Sequence, residues 1–464
     1  MAAQNLSTGR NIKIGFFHLG SGMADIITTG IWNRIMISDL GFSATPIGLL
    51  VSLRYFLAPL GVWAGRMSDQ HAVGGYRRLF WVWSGRLMMA VSIAVLGLVT
   101  AQIARGDVVD AIDWVLIAGS LLLFSLGNAF SGSTFLALIY DRSAPNQRGR
   151  AVGIVWTFLL LGFTIGGILF GALLPTDDTP DIADGLAFSP DTLQNLFLFA
   201  ALLFGVLWFV SLLGEEKRVK TAPAPTPAAA ESKPKTTLRG DLKLAWSNRQ
   251  TRFFFWYLGL SMLFAFSQDL ILEPFAADVF GMEPNVTTRF SAYWGSMAIL
   301  GTVAFLILSR RIKRLTNTVM GYVGAGLLVA TFAIFALSSL AEIRGLVTPG
   351  LILLGLGLGI WNVGTLGLMM DMSPFGRAGT FLGFWTLVVT LARGIGVSSG
   401  GILLDIGRVV TGGDLPVAYG AAFAIGAVGL IVSIAMLTQV NVQVYKESAE
   451  QAADPQTVFA NALD

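Results

Sequence analysis

Apolar residues dominate the chain in runs of about 20, each long enough to cross a hydrocarbon layer of about 30 Å as a helix. Read in order, the runs predict helices over 14–37, 46–66, 79–100, 113–139, 151–174, 192–213, 252–277, 290–309, 317–340, 348–370, 379–404 and 417–437. The reading is an all-α membrane protein of twelve transmembrane helices, in which polar residues are confined to connections and to a few positions inside the spans.

Basic residues fall on alternate connections. Arg10 and Lys13 precede the first span; Arg66, Arg77 and Arg78 follow the second; Arg142, Arg148 and Arg150 follow the fourth; Arg310, Arg311, Lys313 and Arg314 follow the eighth. The long stretch from Lys217 to Arg252, Arg377 and Lys446 belong to the same side, whereas the opposite connections hold Arg105, Arg289, Arg344 and Arg408 and the acidic group Asp177, Asp178, Asp181, Asp184 and Asp191. The positive-inside rule then puts both termini in the cytoplasm. The organisation expected is a cytoplasmic N-terminus over 1–13, a six-helix bundle over 14–214, a cytoplasmic linker over 215–250 with alternating Pro and Ala, a second six-helix bundle over 251–437 and a cytoplasmic tail over 438–464.

Composition sharpens this. Of 464 residues 54% are hydrophobic and 13% charged, about half the charged share of a soluble domain. The 54 glycines suit close helix packing in a bilayer. The absence of cysteine excludes disulfides, thiolate metal sites and cysteine nucleophiles. The net charge of +3 is spent on membrane orientation, so no nucleic-acid partner is expected; membrane lipid is.

The chain also repeats itself. An offset of 239 carries Leu19, Gly20, Met23 and Asp39 onto Leu258, Gly259, Met262 and Asp278, pairing the first span with the seventh. An offset of 230 carries Asp141, Ser143, Gly149, Gly153, Gly166 and Gly171 onto Asp371, Ser373, Gly379, Gly383, Gly396 and Gly401. Two six-helix pseudo-repeats related by an axis along the membrane normal are the major facilitator superfamily arrangement, with a cavity between the halves near the midplane.

Motifs support that assignment. Gly65-Arg66-Met67-Ser68-Asp69, followed at a distance by Arg77 and Arg78, resembles the superfamily's cytoplasmic loop, in which a glycine allows a tight turn and the charges form a latch. Gly65, Asp69, Arg77, Arg78, Arg148 and Arg150 are expected at this latch, with plain positive-inside anchoring as the alternative role of the arginines. Three further passages are more specific: Gly22-Met23 followed by Trp32-Asn33-Arg34-Ile35-Met36-Ile37-Ser38-Asp39-Leu40-Gly41; Ala58-Pro59 leading to Ser68-Asp69; and Gln268-Asp269-Leu270-Ile271-Leu272-Glu273-Pro274-Phe275, continued by Val279 to Met282 and by Thr287-Thr288-Arg289. Together they resemble the PucC family, or bacteriochlorophyll delivery family, of the same superfamily. The resemblance implies a role in assembling light-harvesting or photosystem complexes in the photosynthetic or cytoplasmic membrane of a phototrophic bacterium. It implies chlorophyll or bacteriochlorophyll as the pigment delivered or held, and light-harvesting or photosystem apoproteins and pigment-synthesis or insertion machinery as partners.

Ionisable residues inside spans are costly unless paired or facing a cavity, which makes them functional pointers. Asp25 and Asp269 are intramembrane acids; Arg54 and Arg393 lie deep, positioned either to bind pigment oxygens or to pair with those acids. Arg86 lies nearer a span end, where snorkelling is the alternative. The offset of 239 also sends residue 34 to 273, so Arg34 and Glu273 are expected to face one another, or to share a partner, across the halves; snorkelling is again the alternative. His18 is the one intramembrane imidazole and the candidate axial ligand for a pigment magnesium, with plain satisfaction by a neighbouring helix as the other reading. Asn33, Asn128, Gln268 and Asn362 are further pigment-binding candidates, and no free metal is expected. Trp32, Trp81, Trp83, Trp156, Trp294, Trp361 and Trp385 are mostly interfacial anchors in this reading. No phosphate loop, Ser-His-Asp spacing or metalloprotease helix is present, so an enzyme is not expected. The competing function is a secondary transporter of a small amphipathic solute, coupled to protons through Asp25, Asp269 or Glu273.

Overall fold

The computed structural model describes residues 6–106, 109–144, 147–174, 189–218, 246, 248–312, 314–373, 378–445 and 447. Most of the expected linker and nearly all of the tail beyond 445 lie outside the described residues, as does Arg377.

The apolar runs become helices, and six of the helices begin at a residue whose own side chain satisfies the first free backbone N–H groups. Ser7 caps the first helix, Ser189 the sixth, Asn248 the seventh, Thr316 the ninth and Asp414 the twelfth; Asp110 and Asp113 cap the fourth reciprocally. We label the spans α1 (Thr8–Ile26, continued through Ile27–Ile31, Trp32–Arg34 and Ile35–Asp39), α2 (Ala44–Phe56 and Pro59–Gln70), α3 (Leu79–Ala104), α4 (Ala111–Arg142), α5 (Arg148–Leu173) and α6 (Pro190–Val210). In the second half they are α7 (Arg249–Ala265, Ser267–Leu270 and Leu272–Phe280), α8 (Pro284–Thr288 and Phe290–Arg311), α9 (Asn317–Leu340), α10 (Val347–Asp371), α11 (Ala378–Val410) and α12 (Leu415–Thr438). Eleven of these are long and apolar enough to cross a membrane. The remaining one, α1, is diluted by His18, Ser21, Asp25 and Thr29.

Several expected boundaries move. The first helix starts at Thr8 rather than 14, because Arg10 and Lys13 stay helical and reach Glu215 beyond α6, at 2.9 and 3.3 Å. The second span is interrupted at Leu57 and Ala58, since Pro59 cannot donate to the turn before it. It then runs on to Gln70, so Gly65 is helical and does not form the expected turn. Gly74 and Gly75, at φ +60° and +85°, make that turn instead. The seventh span is broken by a 3-10 turn over Ser267–Leu270, and α11 extends six residues past its expected end.

Packing follows the duplication. In the first half α1 lies on α5 and α6, α3 on α4 and α6, and α2 on α4; in the second half α7 lies on α11 and α12, α9 on α10 and α12, and α8 on α10. Shifting each label by six converts one scheme into the other. Close approach depends on glycine: a Cβ on Gly22 would collide with the Leu159 carbonyl of α5, and one on Gly127 with the Gly85 carbonyl of α3. The halves meet through α2 against α11 and α5 against α8, with α1 facing α7 between them.

Candidate functional site

The end at which α1 begins and α12 finishes is called proximal here and the other end distal. Midway along the interface, the interrupted spans bring four charges together. Asp25 precedes the wide π-helical turn Ile27–Ile31 of α1, and Arg54 sits in the last turn of α2 before the break at Leu57. Their ion pair is short, Arg54 Nη1 to Asp25 Oδ1 at 2.6 Å. From the second half, the 3-10 turn of α7 presents Asp269 to Arg393 of α11 at 3.2 Å, while Gln268 Nε2 donates to the other Asp269 oxygen at 2.6 Å. Tyr55 lies between the pairs: the Arg54 and Arg393 guanidinium carbons are 5.0 and 5.1 Å from its ring centre, and Arg393 also covers Phe266 at 4.0 Å.

This cluster is not saturated. Arg54 Nε, Arg393 Nε and Gln268 Oε1 are buried without a hydrogen-bond partner. The side chains of Asp25, Asp269 and Arg393 are nevertheless 30, 20 and 31% exposed, so the cluster borders open space. On α1, Asp25 belongs to a half-buried stripe with His18, Ser21 and Thr29, spaced three or four residues apart on one face. The His18 ring is 4.9 Å from Phe135 of α4 and 5.9 Å from Trp156 of α5, and its Nδ1 has no partner.

Towards the distal end the same interface is closed by polar contacts between the halves, although Arg34 Nε, Ser38 Oγ and Arg408 Nε keep no partner there. Asn33 is fully buried, donates from Nδ2 to the Leu270 carbonyl at 2.8 Å and accepts the Arg34 N–H at 2.9 Å. Its Nδ2 therefore joins α1 to α7 while its Oδ1 is held within α1, so that neither end of the amide is left without a partner. Asp405 of α11 accepts from the Ala44 and Thr45 N–H groups at 3.0 and 2.7 Å, capping α2 from the opposite half. Asp278 receives Arg408 at 2.9 Å and the Tyr419 hydroxyl at 2.6 Å. Above this seam an open depression of about 270 Å³ is lined by Arg34, Ser38, Asp39, Asp278, Met282 and Glu283.

The expected Arg34–Glu273 pair does not form. Arg34 binds Asp39 at 2.9 Å and the Met282 carbonyl at 3.1 Å, whereas Glu273 lies buried against Gly30 with no ion pair within 4 Å among the described residues. The cause is local: the turn Ile35–Asp39 is π-helical, and its five-residue period returns residue 39 to residue 34. Arg34 still crosses between halves, through a carbonyl of the α7–α8 connection.

At the proximal end Asp69 meets Arg78 at 2.5 Å and Arg77 at 3.7 Å, and Arg78 also reaches Asp141 at 3.0 Å. Arg148 and Arg150 are not part of this latch: Arg148 covers Tyr140 and Arg150 donates to Thr8 at 2.6 Å. Two acids that sequence reading passed over organise the region. Glu215, 1% exposed, gathers Arg10, Lys13 and Arg142, and Glu216 caps α3 through the N–H groups of Arg77, Arg78 and Leu79. Asn128 is half-buried on α4 and Asn362 is exposed on α10; their side chains make no hydrogen bond among the described residues. Asp405 was missed because the eleventh span was expected to stop at 404, and Tyr55 because an aromatic inside a span carries no polar signal.

The family model described as PUCC protein matches residues 31–445. Protein PucC of Rhodovulum sulfidophilum is 27% identical over 415 residues, covering 88% of this chain and 87% of the relative. The bacteriochlorophyll synthase 44.5 kDa chain of Rhodobacter capsulatus is 29% identical over 436 residues, covering 92 and 94%. A bacterial homologue of the human lysosomal transporter Spinster, solved in an inward-facing conformation, superimposes with a TM-score of 0.63 at 14% identity, covering 96% of this chain and 98% of that one. The last likeness confirms the major facilitator fold, and the extent of the family match makes this chain a member of the PUCC protein family, a multi-pass membrane protein.

Proposed function

We propose that the protein is an assembly factor that holds a chlorophyll-type or bacteriochlorophyll-type pigment between its halves and passes it to light-harvesting or photosystem apoproteins. In this reading it lies in the photosynthetic or cytoplasmic membrane of a phototrophic bacterium, with both termini in the cytoplasm. Membership of the PUCC family supports the reading, as does a relative named for bacteriochlorophyll. One structural observation carries it: donors and acceptors that ought to be satisfied in a membrane interior are left without partners, beside aromatic rings, on the open part of the interface.

The residues present fit such a pigment. His18, with an unpartnered imidazole nitrogen next to Phe135 and Trp156, would hold the pigment's magnesium. The bound pigment would supply a Lewis-acidic metal and a large apolar ring. Arg54, Arg393 and Gln268 would orient its oxygen substituents through the groups left free by their ion pairs. The distal seam keeps the site shut on one side, so loading and release take place on the proximal side or laterally into the bilayer.

The test is gentle purification from native membranes, followed by an absorption spectrum and identification of co-purifying chains. Bound tetrapyrrole together with photosynthetic subunits is expected, and His18→Leu should lower pigment content without loss of folded protein. Recovery of folded protein with neither pigment nor such subunits, or with a translocated small solute in their place, overturns the reading.

A further inference from the structure

The first half carries one more buried positive charge than its acids can balance. Arg86 of α3 is 2% exposed and has no carboxylate within 4 Å among the described residues. Its guanidinium carbon lies 4.4 Å from the ring centre of Phe17 and 4.9 Å from that of Trp208, its Nη1 donates to the Met89 sulfur at 3.2 Å, and its Nε has no partner. Thioether sulfur is a weak acceptor and ring faces only partly replace a counter-ion. The nearest acid along α1 to Phe17, whose ring Arg86 covers, is Asp25, and Asp25 is committed to Arg54 at 2.6 Å. Arg86 is thus left without an acid of its own.

The second half does not supply the missing charge. Asp269 and Arg393 balance one another, and Glu273 lies further towards the distal seam, against Gly30. His18, whose Nδ1 is also free, has its ring 5.8 Å from that of Phe17, the ring that Arg86 covers. The region therefore combines an unbalanced guanidinium, a free imidazole nitrogen and the rings of Phe17, Phe135 and Trp156.

We infer that Arg54, Arg86 and His18 form a site for a monoanion on a flat apolar body, so that the preferred ligand is a tetrapyrrole with a free carboxylate rather than its ester. This rests on the pigment reading above and adds the charge. The planar guanidinium suits a carboxylate, and the aromatic neighbours suit a conjugated ring. As the anion engages Arg54, Asp25 becomes free for Arg86, and each cation then has its own acid. A phospholipid headgroup offers the same charge and is separated by experiment.

Full-length protein in neutral-lipid nanodiscs is titrated by fluorescence with pheophorbide a, a magnesium-free chlorin with one free propionate, and with its methyl ester. The acid should bind about tenfold more tightly or better. Arg86→Met should remove that preference and leave ester affinity unchanged, Arg86→Lys should restore part of it, and Asp25→Asn should tighten acid binding severalfold. Equal binding of acid and ester by the unaltered protein overturns the anion site while the pigment reading stands; failure to bind either overturns both. An acid preference that survives Arg86→Met, or that Asp25→Asn weakens, also overturns the site. So does loss of acid binding when the neutral lipid is replaced by phosphatidylglycerol, which would assign the charge to a lipid head. Because Asp25→Asn and Arg86→Met must act in opposite directions, a general loss of fold cannot imitate the expected result.

Discussion

The distal seam and the central cluster lie on the same interface and use the same kinds of side chain, yet they are left in different states. At the seam, Asn33 uses both ends of its amide, and Asp405 spends both oxygens on backbone N–H groups. In the cluster, Gln268 uses only its nitrogen and Arg86 close by has no acid of its own, whereas an unpartnered arginine Nε is common to both regions, on Arg34 and Arg408 at the seam and on Arg54 and Arg393 in the cluster. In a medium without water an unmet polar group is expensive. The carboxylates and the amide of the seam are spent on holding the halves together, whereas the cluster keeps an amide oxygen and a guanidinium that the proposed ligand would engage.

The largest effect is expected where a charge would be stranded. Arg54→Met leaves Asp25 without its partner and should cost about 3 kcal/mol of stability in detergent, the low end for a broken buried pair because Asp25 is 30% exposed. Adding Asp25→Asn should recover most of it. If the double variant melts no higher than the single, the pair is not the cause.

Next comes the seam. Asp405→Ala removes a cap supplied by the opposite half and should cost about 2 kcal/mol. A cysteine at position 45, in a chain with none of its own, should then react faster with a reagent added from the distal side. Unchanged labelling would mean that the seam is held closed elsewhere. The same variant sharpens the contrast, since thermal stabilisation by pheophorbide a should persist in it and vanish in Arg54→Met.

Asn33→Ala should cost about 1 kcal/mol and leave pigment content unaltered, as its amide is already used. A fall in pigment on folded protein would return Asn33 to the site. The smallest change is expected at the proximal latch: Arg77→Ala should shift stability by less than about 0.5 kcal/mol, because its partner Asp69 is 57% exposed at 3.7 Å. A larger shift would show that latch geometry, rather than solvent-screened attraction, matters there.

The most legible features were those read from repetition. Asp39 and Asp278, matched by an offset of 239, both turn out to be ion-paired acids at the distal seam. The offset that carries Arg78 to Asn317 and the one that carries Asp141 to Asp371 describe equivalent contacts, at 3.0 and 2.8 Å. Asp25, Arg54, Asp269 and Arg393 were recognisable because a charge inside an apolar run has so few tolerable environments. Arg34 was misassigned for a geometric reason: alignment of repeats assumes regular helices, and α1 departs from the α-helical period at the residues concerned. Glu215 and Glu216 gave no signal, since acids at a span end look like solvated loop.

What the sequence by itself determined is the solvent, the number of spans, the duplication and the set of charges that had to find partners, because each follows from composition and period along one chain. Which charge meets which was decided only in three dimensions. A π turn of five residues gave Arg34 to Asp39, a 3-10 turn aimed Asp269 at Arg393, and the approach of α11 to α2 placed Asp405 on a helix end more than 350 residues away in the chain. Arg86 shows the division most clearly: its place near a span end left snorkelling open, and only the packing shows it buried between Phe17 and Trp208 with no acid beside it among the described residues. An ion pair depends on distances of a few ångströms between helices, and neither hydropathy nor spacing within a single helix fixes those distances.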